Sequence, residues 1–307
     1  MVSQVYFKVG NYSLFPFLGF KPPSVHHQKM ALSAIQKRAY DSEAEDNFRW
    51  LSSLLATKPK DYVLTDSDVV DGQHHSQISS IGQYAEMAHG SISPSFVFQH
   101  LHELCQPGYP LEEYNSLKHD NARLIKQFHG SVANVQGYAA FRPDTRQLVV
   151  AFSGTSSPAQ SLKDMQTWRT AYPRDGRRST VHAGFWRMYQ GVRHHAFDAL
   201  RMGFQEHEVE EVVLTGHSMG CVLCYLLALD LMAEFGRVIP AGVAINLTVF
   251  GSPRFGNDSL AKYWRSCLAR HRSRFGGASF REYSVKGYND GAPATASVDL
   301  YTHAQFR

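Results

Sequence analysis

The sequence predicts an α/β protein with a mainly parallel central sheet and helices on both of its faces. Three observations carry that expectation. Short apolar, β-rich runs recur at residues 147–152, 209–215 and 243–250. Longer stretches with apolar residues at helical spacing separate them. The alternation of the two is the mark of strands linked by crossover helices.

Taken in chain order, the first helix is expected from Gln77 onward, where Ile78, Ile81, Tyr84, Ala85 and Ala88 share one face. A second follows Ser93-Pro94, over residues 96–104. Residues 135–141 and 147–152 flank the turn-like Arg142-Pro-Asp-Thr-Arg146, giving strand, turn, strand. After Gly184, Phe185, Met188, Tyr189, Val192, Ala196, Ala199 and Leu200 line one face of a long helix. A strand at 209–215, a helix at 221–235, a strand at 243–250, a helix at 260–268 and a last strand at 281–285 complete the series.

A chain of 307 residues suits one large domain with an extension. The domain is expected at residues 76–307. Residues 1–75, with Pro22-Pro23, His26-His27 and the acidic group Asp41, Glu43, Glu45 and Asp46, read as a partly disordered extension holding one helix. Charge is mildly basic, 31 Lys and Arg against 27 Asp and Glu, with no dense basic block, so nucleic acid is not an expected partner. Four cysteines do not make a disulfide framework. No apolar run approaches the roughly 18 residues of a membrane span. The apolar stretch at 12–20 is broken by Pro16 and lacks a cleavage pattern, so a cytoplasmic protein is expected. The sequons at Asn11, Asn246 and Asn257 carry little weight, because Asn246 falls in a buried strand.

The chemistry centres on Gly216-His217-Ser218-Met219-Gly220, a G-x-S-x-G between a predicted strand and a predicted helix. Strand, sharp turn and helix form the setting of a nucleophile elbow. The glycines are needed where backbones come too close for side chains. The helix start offers backbone N–H groups beside Ser218. A serine nucleophile also needs a base, a group orienting that base, and donors for the developing oxyanion. The N–H of Met219 is one expected donor. The turn Phe152-Ser153-Gly154-Thr155, leaving an earlier strand, supplies the other through Thr155.

Ala151-Phe-Ser-Gly-Thr155, Val181-His-Ala-Gly-Phe185, Gly216-His-Ser-Met-Gly220 and Phe250-Gly-Ser-Pro-Arg-Phe-Gly-Asn257 stand in the order found in the fungal-type class 3 lipases. The sequence resembles that family over about residues 77–307, and Asn289-Asp290-Gly-Ala-Pro293 is similar to its N-D-x-V-P segment. The resemblance implies an α/β-hydrolase fold, Ser218 as nucleophile, Asp290 as triad acid, and Thr155 and Met219 as oxyanion donors. It differs at Ser153, where the family often has Arg, and at Cys221, where it usually has Gly. Asp290 also follows the last predicted strand, where a Ser…Asp…His chain order expects the acid.

The base is left open. Residues 291–307 hold one histidine, His303. The family places its catalytic histidine several dozen residues past the acid, so this chain is expected to stop short of the full domain. His303 in Tyr301-Thr-His303 is more similar to a non-catalytic Y-x-H segment. Either His303 folds back to Ser218 or the base is not in this chain. His182 and His217 are poor substitutes, the second pointing away from the turn.

Between the oxyanion turn and the next strand, Leu162, Met165 and Trp168 recur every third residue. In the resembling lipases this segment carries a lid helix whose apolar face covers the serine and opens at a lipid surface. Arg169, Arg174, Arg177 and Arg178 follow and are placed to meet anionic headgroups. Cys221 and Cys224 read as buried small side chains, and the adjacent histidine pairs as surface residues pointing apart. No metal and no cofactor are expected. Two functions stand: a serine ester hydrolase acting on acylglycerols or related lipid esters at a membrane or droplet surface, and an inactive lipase-like binding module lacking the triad histidine. A soluble-ester or acyl-transfer enzyme is a weaker third.

Overall fold

The computed structural model describes residues 3–7, 71–90, 92–107, 111, 121–133, 135–154, 168–176 and 178–287, of which 3–7 and 286–287 are described as backbone only. The predicted architecture is present. Among the described residues a seven-stranded sheet runs in the order β1-β9-β8-β7-β4-β3-β2. Its strands are β1 (Ser3–Phe7), β2 (Arg123–His129), β3 (Gln136–Arg142), β4 (Gln147–Phe152), β7 (Glu211–His217), β8 (Ala244–Phe250) and β9 (Phe280–Gly287). From β4 through β7, β8 and β9 to β1 all neighbours are parallel. β2, β3 and β4 form an antiparallel meander. A separate hairpin pairs β5 (Arg169–Ala171) with β6 (Thr180–His182).

The helices are α1 (Gly72–His89), α2 (Pro94–Gln99), α3 (Leu101–Leu104), α4 (Ala183–Glu206), α5 (Met219–Ala233) and α6 (Asp258–Phe275). Because strand side chains alternate between faces, the two cores can be read off β4 and β7. Leu148, Val150, Phe152, Val212 and Leu214 face α4, α5 and α6. Val149, Ala151 and Val213 face α1, with its Ile78, Ile81, Tyr84, Ala85 and Ala88. Helix α5 is apolar all round, and every residue from Met219 to Leu231 is buried, as a helix without a polar face must be.

Helix boundaries follow their caps. Asp71 accepts the N–H groups of Gln73 and His74, so α1 starts five residues before its apolar periodicity does. Asn257 accepts the N–H of Leu260, and α6 runs on to Phe275, well beyond the predicted 268. The helix expected over 96–104 is broken at His100 (φ −113°, ψ 17°) into α2 and α3. Four strands had no sequence counterpart: the short β1, β5 and β6, and β2, an edge strand whose mixed burial gives no clean alternation. Part of the predicted extension, residues 3–7, forms the other edge of the sheet.

Two polar clusters sit inside this frame. Asp230, in the last turn of α5, accepts hydrogen bonds from Arg174 Nε at 2.7 Å, Arg193 Nε at 2.6 Å and the Tyr189 hydroxyl. Glu234, one turn on, takes the remaining guanidinium arms of Arg174 at 2.6 Å and Arg193 at 2.9 Å. Arg174 is therefore bound to α5 rather than offered to headgroups as the sequence suggested. On β9, Glu282 accepts from the Tyr225 hydroxyl at 2.9 Å and the Trp264 indole at 3.3 Å. Burial raises its pKa to about 7, although both hydrogen bonds pull the other way.

Removing Asp230 leaves two guanidinium groups facing a gap. Asp230→Ala should lower unfolding free energy in urea by about 3 kcal/mol, the low end for a buried pair because both arginines reach solvent. Glu282 has the opposite sense. Its folded pKa lies above the unfolded 4.5, so its favourable contribution is complete below pH 4.5 and is lost as pH rises through about 7. Glu282→Gln should therefore match the parent at pH 4 and exceed it at pH 8 by about 3 kcal/mol, measured by urea titration at both pH values.

Candidate active site

β7 ends at His217 and α5 begins at Met219, so Ser218 alone makes the turn between them. Its backbone stands at φ 53° and ψ −119°. A side chain in that region costs on the order of 1–3 kcal/mol and persists only where its surroundings insist on it. They do so here. The Ser218 N–H donates to the Phe250 carbonyl at the end of β8 (3.0 Å), and its own carbonyl accepts the N–H of Cys221 (3.0 Å). The Cys221 thiol donates to the Phe250 carbonyl at 3.0 Å and to that of Gly216 at 3.2 Å, so the departure from glycine at 221 adds a tie beneath the turn. Unlike Asp71 and Asn257, Ser218 makes no side-chain bond to cap the helix it precedes.

The two glycines of the motif are required by contact. A Cβ on Gly220 would stand 2.4 Å from the Phe152 carbonyl oxygen. One on Gly216 would stand 2.9 Å from that same oxygen and 2.8 Å from the Gly220 carbonyl carbon. Phe152 is the last residue of β4 and pairs with Gly216 across the sheet. Where β4 ends, the turn toward Thr155 is thus packed backbone to backbone on the elbow. Ser153 fastens this turn on its other side: its N–H donates to the Gln136 carbonyl at 2.8 Å and its hydroxyl accepts the Gln136 N–H at 3.0 Å. A Cβ on Gly154 would meet the His217 carbonyl oxygen at 2.9 Å and His89 Nδ1 at 3.0 Å.

Two imidazoles lie beneath these turns. His217 and His89 meet edge to face with ring centroids 5.8 Å apart. Burial, with a smaller repulsion from His89, holds the His217 pKa down to about 4. Burial also lowers that of His89, while the Gly154 backbone favours its proton. Both rings are neutral at neutral pH. His182 is spent on structure: it is buried, and its Nδ1 accepts the N–H of Gly184 at the start of α4.

Of the residues singled out in the sequence, Ser218 and Met219 come together at the elbow, 4% and 6% exposed. Trp168 lies at the head of the β5–β6 hairpin, 72% exposed, its carbonyl accepting the Ala183 N–H at 2.9 Å. Thr155, Leu162, Met165, Asp290 and His303 lie outside the described residues. All four cysteines are buried, and none is in a disulfide. Among the described residues no group of three or more His, Cys, Asp or Glu is placed to hold a metal ion, and no helix is long and apolar enough to cross a membrane. His194 and His195, expected to point apart, instead bring their rings within 3.7 Å, with His195 stacked on Phe128. His89 was not singled out in the sequence; no motif or spacing marks a histidine at a helix end.

A mainly parallel sheet covered on both faces, with a strained serine on the turn from a central strand into a buried helix, defines an α/β-hydrolase fold. Residues 149–281 match the family model of lipase (class 3). The lipase of Rhizopus niveus is 29% identical over 149 residues, 48% of this chain and 36% of that protein. The secreted mono- and diacylglycerol lipase 2 of Gibberella zeae is 30% identical over 135 residues, 38% of this chain and 31% of that protein. The matched stretch thus spans about a third of the length of these curated relatives, 36% and 31%. Among solved structures, lipase II from Rhizopus niveus aligns with a TM-score of 0.54 at 23% identity, over 74% of this chain and 77% of that one. Rhizomucor miehei lipase in its propeptide complex aligns at 0.55 and 18% identity, over 82% and 76%. These structural likenesses are of fold. Together the matches show that residues 149–281 are similar to the fungal-type class 3 lipases.

If the glycines are set by backbone approach, Gly220→Ala must push β4 and the elbow apart. Overpacking of this kind costs about 1–3 kcal/mol. The variant should melt several degrees lower by calorimetry. Any ester-directed reactivity of Ser218 should fall further than the stability loss explains.

Proposed function

We propose that this chain is a serine ester hydrolase of the triacylglycerol lipase type, with Ser218 as nucleophile. The observation that carries the reading is the strained backbone of Ser218, held on the strand-to-helix turn with its hydroxyl unused by the helix cap. Strain is retained where a side chain has to be presented in one direction. The family match and the names of the relatives, a lipase and a mono- and diacylglycerol lipase, support carboxylic esters of acylglycerols as the substrate class.

In this reading Ser218 Oγ attacks the ester carbonyl carbon and gives its proton to the base. The tetrahedral oxyanion is met by the N–H groups of Met219 and Thr155, each donor lowering the barrier by about 2.7–4 kcal/mol. Collapse expels the alcohol, which takes the proton back. Water then attacks the acyl-enzyme, passing its proton to the base, and the fatty acid leaves. Asp290 orients the base, for which His303 is the candidate within this chain. Leu162, Met165 and Trp168 form the apolar face that excludes water and meets the lipid surface. The strong exposure of Trp168 supports that role.

Fluorophosphonate labelling followed by peptide mapping tests the reading. Label on Ser218, absent from Ser218→Ala, is the expected result. A folded chain that takes no label would favour the inactive lipase-like binding module.

A further inference from the structure

Helix α6 is one-sided in charge as well as in burial. Leu260, Trp264, Cys267, Leu268 and His271 are buried. The opposite side exposes Lys262, Arg265, Arg270 and Arg274, with the small residues Ser266, Ala269 and Ser273 between them. The helix holds five basic residues against one acid, Asp258, an excess of four that equals the formal net charge of the whole chain, +4. The fifth cation, Arg272, is spent on the fold: its guanidinium donates to the Phe280 carbonyl at 2.8 and 3.1 Å. Among the described residues none of the other four is in an ion pair, whereas the exposed Arg146 and Arg201 are matched by Glu210 and Asp198. The acids on the elements that pack against α6 are already taken. Asp230 and Glu234 hold Arg174 and Arg193, and Glu282 holds Tyr225 and Trp264.

Helix electrostatics does not call for this pattern. The macrodipole favours cations in the last turn, which accounts for Arg272 and Arg274 but not for Lys262, Arg265 or Arg270. Lys262 with Arg265, and Arg270 with Arg274, are like charges three and four residues apart, an arrangement that mildly destabilises a helix. The direction of α6 also separates its exposed face from the serine. The helix lies between β8, whose Phe250 carbonyl holds Ser218, and its parallel neighbour β9, so it runs back along the sheet. From Lys262 to Arg274 the cations extend about 18 Å away from the elbow end.

We propose that the exposed face of α6 is a docking surface for an acidic segment of a partner protein, lying along the helix with its carboxylates against Lys262, Arg265, Arg270 and Arg274. Three of these four are arginines, whose planar fork takes a carboxylate through two hydrogen bonds. The small side chains between them let a second chain lie close. At the far end Phe275, 36% exposed and covered by the Arg274 guanidinium 5.0 Å from its ring, adds an apolar contact beside the charges. A lipid surface fits this face less well. The apolar side of α6 is spent in the core and cannot insert, and a bilayer laid along this flank would leave the Ser218 end of the sheet facing sideways. A protein held here leaves that end open.

The test uses the full chain and a fluorescein-labelled peptide of about twelve glutamates, long enough as a helix to match the row of cations. At about 0.15 M salt, where loose surface attraction is largely screened, the parent should bind the peptide. Arg265→Gln/Arg270→Gln should weaken the Kd about tenfold. Arg187→Gln/Arg237→Gln, which removes two exposed cations off α6, should change it less than about twofold. No binding by the parent overturns the proposal, as does an equal loss in the two double variants. Vesicles of phosphatidylserine and phosphatidylcholine form the second arm. Capture of the parent by these vesicles, lost in the α6 variant, would make the face a lipid contact and overturn the protein partner. Calorimetry supplies a third readout. Relief of like-charge repulsion should leave the Tm of the α6 variant unchanged or slightly higher, and a fall of several degrees would show that these arginines serve the fold instead.

Discussion

The Phe152 carbonyl is the point around which this structure is organised. Two glycines, Gly216 and Gly220, bring their α-carbons so near that oxygen that a methyl group on either would stand 2.9 Å or less from it. Such an approach is possible only if β4 and β7 pair in one register and α5 leaves the sheet at one angle. The register is the observed one, Phe152 opposite Gly216. Protein interiors are packed to crystal density, so a contact of this kind is felt far from where it is made. The strained backbone of Ser218 follows from it: with Gly216 and Gly220 both against β4, the residue between strand and helix has little conformational choice.

That strain has to be balanced elsewhere, and α5 is where it is balanced. Every residue from Met219 to Leu231 is buried, so the helix cannot roll to relax its first turn without exposing apolar surface. Exposure costs about 25 cal/mol for each Å², which a shift of even one leucine turns into more than a kcal/mol. The N-terminal end is held by the Phe250 carbonyl through Ser218 and Cys221, and the C-terminal end by the arginines on Asp230 and Glu234. A helix fastened at both ends and buried between them is a rigid mount for one serine.

The fold was legible in the sequence because strand and helix periods differ and most elements here are long and strongly patterned. The central strands and α1, α4, α5 and α6 were all foreseen in kind. β2 was not, because an edge strand touches solvent on several positions and loses its alternation. The elbow was legible as a local motif: its glycines, its serine and its neighbouring strand and helix are contiguous in the chain. His89 was not, because its partners Gly154 and His217 meet it only through the packing of α1 on the sheet. Arg174 was misread for the same reason. A basic residue near other basic residues looks like a surface patch until its carboxylate partners, 56 and 60 residues away, are brought to it.

The same contacts bear on the stretch expected to cover the serine. On its N-terminal side, Ser153 is tied twice to Gln136 and Gly154 is gripped between His89 and the His217 carbonyl. On its C-terminal side, the Trp168 carbonyl accepts the Ala183 N–H, β5 pairs with β6, and Arg174 reaches Asp230 and Glu234 on α5. Both anchors therefore lead back to the two elements that fix Ser218, β4 and α5. The anchors and the nucleophile thus belong to one packed body, closed by backbone approach at one end and by a charged clasp at the other.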